Sequence, residues 1–147
     1  MDINGALNAV LVKLFRNIED IEQQAIRTEE YKDMTTNDIR VIEAIGMEGQ
    51  KNMTTVAKEL HVTTGTLTIS INSLVKKSYV ERVRSEEDRR VVLVSLTKKG
   101  ERAFLHHQQF HEEMIDAVVA QLSEEEKAVL TKALERLNDF FLSKGQR

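Results

Sequence analysis

Between His61 and Leu96 the spacing of apolar residues changes period once, and that change constrains the fold more than any other feature. Leu67, Ile71 and Leu74 recur at helical steps within VTTGTLTISINSLVKK. From Tyr79 onward the text is a short strand, YVERV, a polar tip, RSEEDRR, and a β-branched returning strand, VVLVSL. A helix therefore runs directly into a hairpin. Upstream, TTVAKEL supplies a short helix with Val56, Ala57 and Leu60 inward, and Thr63 stands where the next helix needs its N-cap. Val62 is expected to enter the core of the tight turn between the two. Two short helices joined by such a turn form a helix-turn-helix, and the hairpin behind them forms a wing.

The flanks are helical. Ala6, Leu7, Val10, Leu11, Leu14, Ile18, Ile21 and Ala25 fall at three- and four-residue steps, which predicts an amphipathic helix over 6–25. A second helix follows MTTNDIRVIEAIG, capped by Thr35 or Thr36 and stopped by Gly46 or Gly49. A long helix is expected from 97 to about 120, and another in SEEEKAVLTKALERLNDFFL, where Ser123 and Glu126 have capping-box spacing. The expected fold is mainly α with a small β-hairpin wing: a winged helix-turn-helix over 34–97, flanked by helical dimerisation and effector parts at 1–30 and 98–147. Leu122, Val129, Leu130, Ala133, Leu134, Leu137, Phe140 and Phe141 form a stripe that a small winged helix cannot cover. Such a surface would aggregate if left open, so a two-fold homodimer is expected.

Net charge is −3, yet its distribution is uneven. Residues 51–102 carry 11 Lys and Arg against 6 Asp and Glu, and no acid occurs between Glu59 and Glu81. A segment cleared of carboxylates suits a surface that meets phosphates. There is no cysteine, which excludes disulfides, thiolate metal sites and thiol redox sensing. No Gly-rich phosphate loop or nucleophile and base arrangement supports an enzyme. The chain has no apolar run long enough for a bilayer, and its start lacks the pattern of a signal peptide, so a cytoplasmic location is expected.

On these grounds the sequence resembles the MarR-type regulators, dimeric winged-helix transcription factors. The stretch from Asp88 through Arg90, Val94, Leu96 and Thr97 to Gly100 follows that family's D-x-R-x-x-x-V-x-L-T-x-x-G, and VTTGTLTISINSLVKKSYVERV is similar to its recognition helix. Ser78 departs from the pattern, because a glycine commonly ends that helix. Within the family, VTTGTLTISINSL, YVERVRSEEDRRVV and SEEEKAV resemble the repressors of fatty-acid synthesis genes. That resemblance implies a corepressor, acyl-acyl carrier protein.

With Leu67, Ile71 and Leu74 inward, the outward side of the recognition helix carries Gly65, Thr66, Ile69, Asn72, Ser73 and Lys76, with Thr68 on its flank. Asn72 can pair bidentately with adenine, Ile69 can meet a thymine methyl, and the helix start near Thr64 can donate to a phosphate. At the wing, a slim tip can carry Arg90 into the minor groove, with Asp88 holding its side chain forward and Arg89 on a phosphate. Lys98 and Lys99 oppose the dipole at the start of the long helix, and phosphate contact is the expected compensation. The partner is thus double-stranded DNA, a pseudo-palindrome with half-sites about 34 to 36 Å apart.

An effector site is expected between the first helix and the long helix, with Leu14, Ile18, Ile21, Phe104, Phe110 and Met114 as apolar wall and His107 or His111 as polar member. Lys13 and Arg16 are the expected docking residues for the acidic carrier. His107 and His111 have zinc-binding spacing, but the second helix lacks a further histidine, so neither metal nor cofactor is expected. Other ligands (an aromatic acid, or zinc) and a DNA-independent helical interaction module are the alternatives.

Overall fold

The computed structural model describes residues 1–26, 28 and 30–145. Positions 27, 29, 146 and 147, inside the expected helical ends, lie outside the described residues. The chain divides into two compact units, one through Gln108 and one from Gln109 onward.

The first unit opens with α1 (Ile3–Asn8), a π-helical turn (Ala9–Leu14) and α2 (Phe15–Ile26). Asp2 caps α1 by accepting from the Gly5 N–H at 2.8 Å, which starts the helix earlier than its apolar stripe does. Widening to π geometry displaces the register of side chains downstream of it. Val10, Leu11, Leu14 and Ile21, all members of the expected stripe, stay exposed.

The winged helix follows. In α3 (Thr36–Ile45), the Thr35 hydroxyl accepts from the Asp38 N–H while the Asp38 carboxylate accepts from the Thr35 N–H, a capping box. Gly46 stops α3 at φ 69°, a left-handed conformation that glycine adopts without a Cβ clash. Strand β1 (Lys51–Asn52) leads into α4 (Met53–Glu59), and Asn52 caps α4 by accepting from Thr55 at 2.7 Å. Helix α5 (Thr64–Lys76) begins at the Thr63 cap, whose hydroxyl accepts from the Thr66 N–H at 3.1 Å. The turn between α4 and α5 passes through His61 at φ 56°, and Val62 points outward, 38% exposed, rather than into the core as its apolar character had led us to expect. Its N–H, bonded to the Ala57 carbonyl, closes the turn instead.

Strands β2 (Val80–Arg84) and β3 (Val92–Leu96) form the wing. They pair antiparallel from Val80 with Leu96 to Arg84 with Val92, and β1 adds to the other edge of β3, giving the order β1-β3-β2. The core beneath joins Ile42, Ile45, Val56, Leu67, Ile71, Leu74, Tyr79 and Val94, all fully buried. Burying a Leu or Ile side chain contributes roughly 1.5 to 3 kcal/mol, so this core fixes the pose of α5 on the sheet.

Helix α6 (Lys98–Val119) grows out of β3 through a tight joint. Thr97 donates its N–H to Tyr79 O at 3.0 Å and its hydroxyl to Ser78 O at 2.6 Å, while accepting from the Gly100 N–H at 3.1 Å. Gly100 lies so close to the Tyr79 carbonyl that a Cβ there would meet its oxygen at 2.1 Å. That approach explains why the T-x-x-G spacing ends in glycine. In the second unit, α7 (Glu124–Gly145) starts at a capping box in which Ser123 and Glu126 exchange bonds of 2.9 and 3.2 Å. Among the described residues no helix is long and apolar enough to cross a membrane.

Candidate nucleic-acid interface

Helix α5 keeps Leu67, Ile71 and Leu74 against the core, so the opposite side is presented to solvent. Thr64, Gly65, Thr66, Thr68, Ile69, Asn72 and Lys76 are exposed and Ser73 is half-buried. Ile69 is 73% exposed, which places an apolar β-branched side chain at the middle of an otherwise polar face. Thr68 turns its hydroxyl back onto Thr64 O at 2.8 Å. Lys76 ends the face in the last helical turn, where the dipole favours a cation.

The wing tip is braced from within. Ser85 and Val91 close it by an N–H to carbonyl bond of 2.8 Å, and Arg84 donates to Arg89 O at 3.0 Å. Asp88 grips Arg90 three times: Oδ1 accepts from the Arg90 N–H at 3.0 Å and from Nε at 3.1 Å, and Oδ2 accepts from Nη2 at 3.1 Å. The Arg90 guanidinium holds the Asp88 carboxyl below the usual carboxylate range. Because the Arg90 side chain is 91% exposed, this fork orients a cation that is open to solvent. An exposed ion pair adds little to stability. What it fixes is direction.

Between wing and helices lies a cleft of about 340 Å³ lined by Asn52, Met53 and Thr54 at the start of α4, Thr64 and Thr68 of α5, and Arg82, Arg90, Val91 and Val92 of the wing. Its lining includes two guanidinium groups and no carboxylate. That chemistry suits a phosphate oxygen, since Arg forks match phosphate geometry. The helical and charge patterns of the sequence do not single out Arg82. Its signal was the pleat: Val80, Arg82 and Arg84 share one face of β2, and Val80 is buried. Arg82 Nη1 donates to Asn72 Oδ1, linking strand to recognition helix.

Lys98 is exposed at the start of α6. Lys99, expected on a phosphate, turns inward instead: its Nζ donates to Lys77 O at 3.2 Å and lies 4.4 Å from the Tyr79 ring centre. The unfavourable position at the start of α6 is thereby offset, because the same ammonium meets the carbonyl end of α5 and an aromatic face.

The family model described as "Transcriptional regulator SarA/Rot" matches residues 25–106, over half of the chain. A solved structure of Streptococcus pneumoniae FabT in complex with DNA is 40% identical, covers 95% of this chain and 98% of its own, and superposes with a TM-score of 0.89. The chain belongs to the SarA/Rot and MarR type of winged-helix transcriptional regulators. Reduced MarR from E. coli is 26% identical over 86% of this chain and 95% of its own, at a TM-score of 0.64. The regulator BilQ of Clostridium symbiosum is 41% identical over 69 residues, so the chain spans about half the length of that curated relative. The chain is a transcriptional regulator of the DNA-binding winged-helix type and not an enzyme.

The residues expected at an effector site differ in exposure. Within the first unit, Leu14 and Ile21 are exposed, Ile18 is half-buried and Phe104 packs against the core. His107 is 4% exposed, and its Nε2 lies 2.9 Å from Glu43 Oε1. Lys13 and Arg16 are exposed on the π turn and α2. In the second unit Phe110, His111 and Met114 are half-buried, and the Phe110 and His111 rings meet edge to face at 5.8 Å.

Proposed function

We propose that this regulator is a repressor of fatty-acid synthesis genes that acts as a homodimer on a pseudo-palindromic operator, with acyl-acyl carrier protein as corepressor. The observation that carries the reading is the likeness to FabT, 40% over 95% of the chain and bound to DNA in its solved form. The groove-facing residues of α5, the Asp88 and Arg90 fork, Arg89 and Lys98 supply the chemistry for DNA. Dimerisation is supported by the open apolar surface of α7, where Val129, Leu134, Phe140, Phe141 and Leu142 are each more than half exposed. A second copy is the economical cover.

For the corepressor, Leu14, Ile18, Ile21 and Phe104 are the apolar wall and His107 the polar member, with Lys13 and Arg16 docking the acidic carrier. A buried chain gains about 0.8 kcal/mol per CH₂, so a long acyl group can favour one arrangement of the dimer over another while a short one cannot. The test is operator affinity by fluorescence anisotropy with long-chain acyl carrier protein, short-chain acyl carrier protein, free carrier, an aromatic acid and zinc. The reading expects tighter binding with the long-chain species alone, lost on Ile18→Trp. Equal affinity in the three carrier conditions refutes the corepressor, and a response to the aromatic acid or zinc assigns the effector elsewhere.

A further inference from the structure

We infer that Arg82 is a positioning residue for base recognition: by drawing Asn72 Oδ1 toward the wing it turns the amide so that Nδ2, a donor, is directed at the groove. A guanidinium carries donors and no acceptor, so the amide must turn its oxygen toward Arg82 and its Nδ2 away. Both side chains are otherwise exposed, and Arg82 lines a cleft that offers it no carboxylate as a competing partner. Its backbone is not free to wander, because Arg82 pairs with the buried Val94 in the middle of the β2 and β3 ladder. The strand thus presets a side chain on the recognition helix.

The consequence is a change in what Asn72 can read. Bidentate pairing with adenine needs the amide oxygen to accept from N6 while the amide nitrogen donates to N7. With Oδ1 drawn toward Arg82, its second lone pair and Nδ2 no longer face one adenine together, and the bidentate pair is disfavoured. Guanine, with N7 and O6, or thymine, with O4, presents acceptors that Nδ2 can satisfy. Arg82 therefore sets specificity at a base it need not touch. This rests on the assignment of the outward face of α5 to the major groove.

The experiment is sequencing of DNA selected by wild type, Asn72→Ala and Arg82→Ala in the full-length protein, together with the side-chain amide resonances of Asn72 in the DNA-free protein. Asn72→Ala is expected to relax one position in each half-site, at which wild type selects guanine or thymine. At that position Arg82→Ala is expected to raise adenine relative to wild type by on the order of tenfold, because the freed oxygen completes the bidentate pair. The Asn72 amide resonances should also move on Arg82→Ala before any DNA is added. A ranking of bases unchanged in Arg82→Ala, with affinity alone reduced, makes Arg82 a phosphate contact and overturns the inference, as does wild-type selection of adenine there. Unmoved Asn72 resonances show that Arg82 does not hold the amide and overturn the inference as well. If Asn72→Ala relaxes no position, the groove assignment of α5 falls, and the inference falls with it.

Discussion

Replacing Gly100 by alanine tests the joint that couples the wing to α6. The added methyl would lie 2.1 Å from Tyr79 O and 3.3 Å from the Leu96 Cβ. An ordinary C to O approach is about 3.3 Å, so helix and strand must separate by roughly 1.2 Å. That opening stretches the 3.0 Å bond from the Thr97 N–H to Tyr79 O beyond hydrogen-bonding range. Overpacking typically costs about 1 to 3 kcal/mol, and one lost hydrogen bond about 0.5 to 1.5. A total of about 2 to 4 kcal/mol lowers Tm by roughly 6 to 12 °C in a domain of this size. Thermal unfolding followed by circular dichroism measures it, with Gly145→Ala as control because a Cβ there meets nothing within 4 Å. A Gly100→Ala protein that melts within about 2 °C of wild type would show that the joint yields without penalty and refute the reasoning.

Four further outcomes are expected. Arg90→Ala should weaken DNA binding and reduce preference for A·T at the wing positions, whereas Lys76→Ala should weaken all sequences alike and lower the salt slope by about 1, both read by anisotropy against salt. Lys77→Met removes the ammonium that meets the buried Asp38 carboxylate at 2.8 Å, leaving it the Thr35 N–H, and should destabilise by about 2 kcal/mol in urea, while Arg40→Ala, losing an exposed contact to Glu19, should stay under about 1 kcal/mol. The Ser123 N–H holds the Glu126 carboxyl below its ordinary value, so its capping contribution is complete above about pH 5 and fades as pH falls through the lowered value; the stability gap between wild type and Glu126→Gln should close on acidification. Leu134→Asp should abolish operator binding through loss of the dimer in light scattering, with each winged helix still folded by circular dichroism.

Legibility in the sequence followed the range of each interaction. Thr35, Thr63 and Ser123 were readable as caps because a cap and its N–H lie three residues apart. The hairpin was readable because β2 and β3 flank a single short tip. Strand β1 was not, since Lys51 and Asn52 carry no strand preference and are ordered by pairing with β3. The π turn is not legible, because AVLVKL has the composition of an ordinary helix. Lys99 was read from its own helix, and what redirects it is the end of another, 22 residues earlier. The same holds for Arg82, whose partner lies across a helix-to-strand joint, and for His107, whose neighbour Glu43 is 64 positions away. Charge and period point to the elements proposed to face DNA; contacts between elements decide which residue of each is exposed.

His61 and Ser78, at φ 56° and 72°, hold left-handed conformations that side chains other than glycine resist, and they bracket α5. Neither is favoured locally, so the surrounding fold imposes both. A recognition helix pinned in this way at entry and exit has a fixed reading frame. On the proposed reading, substitutions along its outward face exchange one preferred base for another without moving the helix in the groove, so specificity and architecture are separable.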